Sequence, residues 1–234
     1  MKLVRIGLLC AAIILLFASN SSAVPTLGGI TGNTSLNGIT DSGLDYVTLP
    51  SSFISITVTL LFENADMAST NEFGIYDYTH TSRKLEIFDG DNVVGDSKVV
   101  NFDLESGKAW VNSNKKVSIG EDFGFYLDSK VGNNGGGIFY SNESENSNSD
   151  DGVRHLLLYN TRGLTGLFSG NPDTVVAGED LRINASGYDA DFDDMVIGVT
   201  NVYVGAAIPS VPEPATIGIL GLGAVMLLTK RGKK

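Results

Sequence analysis

Hydrophobic and polar positions alternate most clearly over FISITVTLLF, residues 53–62, where Ile54, Ile56, Val58, Leu60 and Phe62 are separated by Ser55, Thr57 and Thr59. A period of two is that of a strand with one buried face. Shorter runs of strand length follow, bounded by Gly, Asp and Asn: FGIYDY (73–78), KLEIF (84–88), KVVNF (98–102), KAWVN (108–112), FGFYL (123–127), GIFYS (137–141), RHLLLYN (154–160) and MVIGVTNVYV (195–204). No convincing helical period lies among them. Many short strands at near-regular spacing predict an all-β fold, an antiparallel β-sandwich of jelly-roll type. Asp89-Gly90 marks a turn between two apolar stretches, and Gly135-Gly136-Gly137 a hairpin loop. The acidic, low-complexity stretch SNESENSNSDD (141–151) reads as a mobile loop.

Two longer apolar segments flank this pattern. Lys2 and Arg5 precede the apolar run Ile6–Phe17, and Ser21-Ser22-Ala23 supplies the small residues of a cleavage site, so residues 1–23 read as a signal peptide with a signal helix. Cys10 is the single cysteine, and a chain starting at Val24 has neither a disulfide nor a thiolate ligand to draw on. Residues 24–44, rich in Gly, Thr, Ser and Asn, read as a flexible lead-in or an early edge strand, and residues 45–206 as the sandwich domain. At the other end, Ala215–Thr229 is uncharged and would make a transmembrane helix of about 22 Å. Lys230, Arg231, Lys233 and Lys234 would hold its end in the cytoplasm. Pro212 and Pro214 keep the chain around Glu213 extended and accessible.

The three-part tail, residues 207–234, resembles the PEP-CTERM sorting signal of Gram-negative and related bacteria: Pro212-Glu213-Pro214, a glycine-rich apolar stretch, then a basic cluster. The resemblance implies recognition by an exosortase, after signal peptidase has acted at the front end. The chain would be anchored transiently in the inner membrane, cut near Pro-Glu-Pro, and passed to the cell surface or an exopolysaccharide matrix.

Charge narrows the partners. Without the two flanking segments, 26 acidic residues face 10 basic ones, a net charge of about −16. Such a body does not neutralise phosphates, which argues against nucleic acid. Cations or neutral polar surfaces fit better, and solvating charge that keeps an exported protein soluble is the other reading.

The acidity is densest in GEDLRINASGYDADFDDMVIGV (178–199), which gathers Glu179, Asp180, Asp189, Asp191, Asp193 and Asp194. Crowded carboxylates repel unless a cation, backbone N–H groups or a basic side chain compensates. Calcium is the cation that hard, loop-borne oxygen ligands select. If the backbone turns, Asp189, Asp191 and Asp193 can converge, although the glycine and distal glutamate of an EF-hand are missing. An acidic turn ordered by its own backbone, with Arg154, Arg162 or Arg182 balancing the charge, is the other reading.

Further pieces of the body, in order, are NEFGIY (71–76), FGFYL (123–127), FYS (139–141), DGVRHL (151–156), EDL (179–181) and DADFDDMV (189–196). Together they resemble a bacterial exported domain of unknown function whose hallmark is E-D-L followed by D-x-D-[FY]-N-D and an apolar strand. Asp193 stands where that family usually has Asn, and Gly178 where an aromatic is common. The resemblance implies a domain over residues 71–204 and a site at the acidic motif. It implies no activity, and its members' association with calcium-binding repeats adds to the calcium reading.

Catalytic signatures are sparse. His80 and His155 are the only histidines, and G-x-S-x-G, H-E-x-x-H, Walker and dinucleotide patterns are absent. His155 reads as a half-buried or edge histidine. Trp110, Tyr76, Tyr78, Tyr126 and Tyr140 could stack on sugars or fill the core. The expectation is a non-enzymatic exported protein of surface or matrix with a structural or adhesive role; the alternative is a calcium-dependent glycan-binding module.

Overall fold

The computed structural model describes residues 24–50, 55–65, 68–112, 116–130, 135–146, 150 and 152–204. The expected signal peptide, the Pro-Glu-Pro motif, the apolar tail and its basic cluster lie outside them. Among the described residues no helix is long and apolar enough to cross a membrane.

In chain order the elements are α1 (Leu27–Thr31), β1 (Val47–Thr48), β2 (Ser55–Glu63), β3 (Glu72–Asp77), β4 (His80–Phe88), β5 (Ser97–Asp103), β6 (Lys108–Val111), β7 (Val117–Ser118), β8 (Asp122–Asp128), β9 (Ile138–Tyr140), β10 (Leu156–Asn160), β11 (Thr174–Gly178), β12 (Met195–Val199) and β13 (Tyr203–Val204). They form two antiparallel sheets. One runs β13-β1-β8-β3-β4, with β9 also paired to β8; the other runs β10-β11-β12-β2-β5-β6-β7. The main core lies between them: Phe73, Ile75, Phe123, Phe125 and Leu127 from the first sheet meet Ile56, Val58, Leu60, Val176 and Ile197 from the second. This is an all-β sandwich in which alternate residues of each strand supply the core.

The alternation of β2 holds through Leu60 and then breaks. Val196 pairs with Phe62 while Ile197 pairs with Leu60, so Leu61 is an extra residue in the ladder. The bulge sends Phe62 to the outer face, where it is 39 % exposed, rather than to the buried face expected for it.

Residues 24–44 differ from the expected lead-in or edge strand. Thr26 caps α1 by accepting a hydrogen bond from the Gly29 N–H, and Leu27, Ile30 and Leu36 are buried. They pack with Leu157, Tyr159, Val175, Ala177, Phe192 and Val196, forming a second core on the outer face of β10, β11 and β12. Those strands are therefore apolar on both faces. The segment is held by an isolated bridge between Asp41 and Tyr159 and by ion pairs from Arg154 to Asp41 and Asp45.

Another expectation shifts. The run 195–204 is two strands, β12 and β13, in different sheets. The expected Asp89-Gly90 turn is present, the Asn92 N–H donating to the Asp89 carbonyl at 3.1 Å, and it carries the chain from β4 to β5 across the sandwich. In the acidic stretch 141–151, Asn146 and Asp150 are buried, Asn146 bonding Tyr140 and Val153, and Asp150 bonding Arg182.

Candidate functional site

Gly178 at the end of β11 pairs with Met195 at the start of β12. Glu179 and Asp180, just past one strand, thus lie beside Asp193 and Asp194, just before the other. Residues 181–192 form the excursion between them. β2 ends on the same side, where the Asn64 N–H donates to the Asp194 carbonyl (3.3 Å). From the opposite sheet comes Asn71, immediately before β3. Its side-chain N–H donates to the Asp180 carboxylate at 2.9 Å.

The excursion returns through a turned backbone. Ala190 and Phe192 have φ of 58° and 59°, a left-handed conformation that side chains with a Cβ rarely adopt. Phe192 is anchored by its burial in the second core. The alternating aspartates do not lie along a flat strand: Asp189 and Asp191 turn toward Glu179, and their oxygens and one of Glu179 lie within 4.8 Å of one another. Glu179, Asp180 and Asp194 form a second such group. Asp193 joins neither among the described residues. Its carboxylate accepts from the Asn64 side chain at 3.2–3.3 Å, and its N–H donates to Asp191.

Burial makes this crowding costly. Glu179 and Asp180 are 1 % and 2 % exposed, whereas Asp189 and Asp191 face solvent. Desolvation, reinforced by the negative charges of Asp194, Asp189, Asp180 and Asp191, pushes the Glu179 carboxyl up to about 9. Desolvation also raises Asp194 to about 7, against a hydrogen bond from the Asp180 N–H that favours its charged form. Asp191 is raised as well, again mainly by desolvation. Glu63 at the end of β2 is raised by burial and by the Asp180 charge.

Two oxygens in this region stand out. Glu179 Oε2 and Asn71 Oδ1 are both buried and have no hydrogen-bond partner. A buried polar atom left unpaired costs about 1–3 kcal/mol. The Asn71 amide orientation is fixed by its partner, since reversing it would set its oxygen against the Asp180 carboxylate. Buried oxygen donors gathered among carboxylates suit a hard cation, which would take the place of the proton that Glu179 otherwise holds.

Two of the arginines expected to balance the motif are engaged elsewhere. Arg154 pairs with Asp41 and Asp45, and Arg162 with Asp173 while lying over the Tyr203 ring. Arg182 bonds Asp150 and the Gly136 carbonyl, with its backbone N–H on Gly135. His155, expected at an edge or half-buried, is fully buried and stacks on Phe139 at 3.9 Å. Burial lowers its pKa against the pull of Asp150. Its carbonyl accepts from the Glu179 N–H, so this packed histidine supports the floor of the acidic site.

The aromatic residues do not assemble a common sugar platform. On the outer face of the first sheet, Tyr76 lies over Gly124 and Tyr126 over Gly74, and both rings are buried. Tyr140 meets Tyr76 edge-on, with Lys84 above Tyr126 and Tyr140. Tyr78 packs on Tyr46, and Trp110 is on the other sheet under Lys116.

Asn71 and Asn64 escape a reading of the acidic motif alone, because they reach it only through strand pairing. Comparison with protein-family models, curated proteins and solved structures gives no match.

Proposed function

We propose that the chain is an exported, non-enzymatic sandwich of jelly-roll-like connectivity that binds calcium where the end of β11, the start of β12 and the end of β2 meet the start of β3, and serves a structural or adhesive role at the cell surface or in an exopolysaccharide matrix. The observation that carries the calcium reading is Glu179: a buried carboxylate among four others, with one oxygen lacking any partner. A divalent cation relieves both the repulsion and the unpaired oxygen. Bound between sheet ends, it would lock the excursion 181–192 onto the fold. Export and sorting rest on the sequence of the two termini, with signal peptidase and an exosortase as the machinery.

The solvent-facing carboxylates Asp189 and Asp191 favour a second reading, calcium-dependent binding of extracellular polysaccharide. Calcium takes six to eight oxygens, and exposed ligands leave positions open to hydroxyl groups of a glycan.

Thermal unfolding of the full chain, purified in mild detergent, tests the calcium reading. Calcium at 100 times its Kd stabilises the folded state by about 2.7 kcal/mol relative to chelator. Glu179→Gln, which keeps the shape and removes the charge, cuts that gain to about 1.4 kcal/mol or less at the same calcium concentration. A wild-type melting curve unmoved by calcium would refute the reading.

A further inference from the structure

The two acidic groups share one member. Glu179, Asp180 and Asp194 supply oxygens within 4.8 Å of one another, and so do Glu179, Asp189 and Asp191. Calcium–oxygen distances of about 2.3–2.6 Å allow ligands of one ion to lie up to about 5 Å apart, so each trio has the dimensions of one ion's shell. The five carboxylates do not merge into one such set among the described residues; they fall into two, joined at Glu179.

Glu179 has the means to serve both. An ionised carboxylate carries two oxygens with about four lone-pair sites, and here Oε2 is buried without a partner. Charge points the same way. One divalent ion among five carboxylates leaves three negative charges uncompensated, while two leave one.

Resting on the calcium reading above, we propose that Glu179 bridges two calcium ions, an inner one shared with Asp180 and Asp194 and an outer one shared with Asp189 and Asp191. The two positions differ in kind. Glu179 and Asp180 are buried at the sheet ends, and the unpartnered Asn71 oxygen belongs to the amide that bonds Asp180, so the inner ion has ligands fixed by both sheets. The outer ion draws two of its ligands from the exposed excursion, binds more weakly, and keeps coordination positions for water or for hydroxyl or carboxylate oxygens of another molecule.

Isothermal calorimetry with calcium on the full chain in mild detergent tests this, using wild type, Glu179→Gln and the double variant Asp189→Asn/Asp191→Asn. The expected result is two ions per chain with distinct affinities. Glu179→Gln weakens both at least tenfold; the double variant loses the weaker ion and retains the tighter one. A single ion per wild-type chain would overturn the bridge while leaving a calcium site. Two ions of which only one responds to Glu179→Gln would also overturn it. No binding would overturn both the bridge and the calcium reading beneath it. Circular dichroism of each variant in chelator separates lost binding from lost folding, because all three proteins are expected to be equally folded without metal.

Discussion

Asn71 donates a hydrogen bond to Asp180 across 2.9 Å, joining residues 109 positions apart and tying the start of β3 in one sheet to the end of β11 in the other. Both residues are buried, so the bond closes one end of the sandwich and holds an acidic side chain in place.

Asn71→Ala therefore removes a buried donor from a carboxylate. The expected loss is about 1–3 kcal/mol of stability in chelator, measured by urea unfolding. Calcium affinity falls as well, since the same amide carries an unpaired oxygen beside the site. Wild-type stability and affinity in the variant would remove Asn71 from the account.

The pH dependence follows from Glu179 and Asp194, which burial raises to about 9 and about 7 from ordinary carboxylate values of 4.5 and 3.8. Their folded forms hold protons that the unfolded chain has released. The metal-free protein should thus be most stable below about pH 4 as far as these groups are concerned, and lose that contribution as pH rises through their folded values. The slope is at most about 1.4 kcal/mol per pH unit for each proton. Calcium replaces those protons, so its stabilising effect should grow between pH 5 and 8. Melting curves at both pH values, with calcium and with chelator, check the sign; a calcium gain that shrinks with rising pH would contradict it.

Gly90 sits where the β4–β5 crossover passes the Ser69 carbonyl, and a methyl group there would overlap that backbone. Gly90→Ala should cost about 1–3 kcal/mol by chemical unfolding. Gly38→Ala, with open space around the new methyl, should stay within about 0.5 kcal/mol of wild type. Equal effects of the two would mean that the crossover does not pack as described.

The sorting proposal has its own check. Intact-mass analysis of protein recovered from the cell surface or matrix should show a chain that begins at Val24 and lacks the residues beyond the Pro212-Glu213-Pro214 motif. Recovery there of chains still ending in Lys234 would sink it.

How far the sequence carried the fold depends on how each residue is buried. The alternation of Ile56, Val58 and Leu60 announces β2 because only one face of that stretch is apolar. β11, TVVAG, goes unread for the opposite reason: it is buried on both faces and has no alternation to find. The packing of residues 24–44 is hidden too, since α1 has five residues, fewer than a helical period needs to show itself, and its composition is that of a loop. At the site, the spacing of Glu179, Asp180, Asp189, Asp191 and Asp194 exposes the acidic cluster. What it does not expose is the pair of left-handed residues that turns Asp189 and Asp191 toward Glu179, the diversion of Asp193 to Asn64, or the arrival of Asn71 from the other sheet.

The most direct test of the central claim is a crystal of the protein grown in calcium, with anomalous scattering recorded at long wavelength. The account predicts anomalous density about 2.3–2.6 Å from Glu179 oxygens, with Asp180 and Asp194 among the ligands. A well-ordered Glu179 with no such density at saturating calcium would contradict it and leave the acidic motif as a turn that stabilises itself.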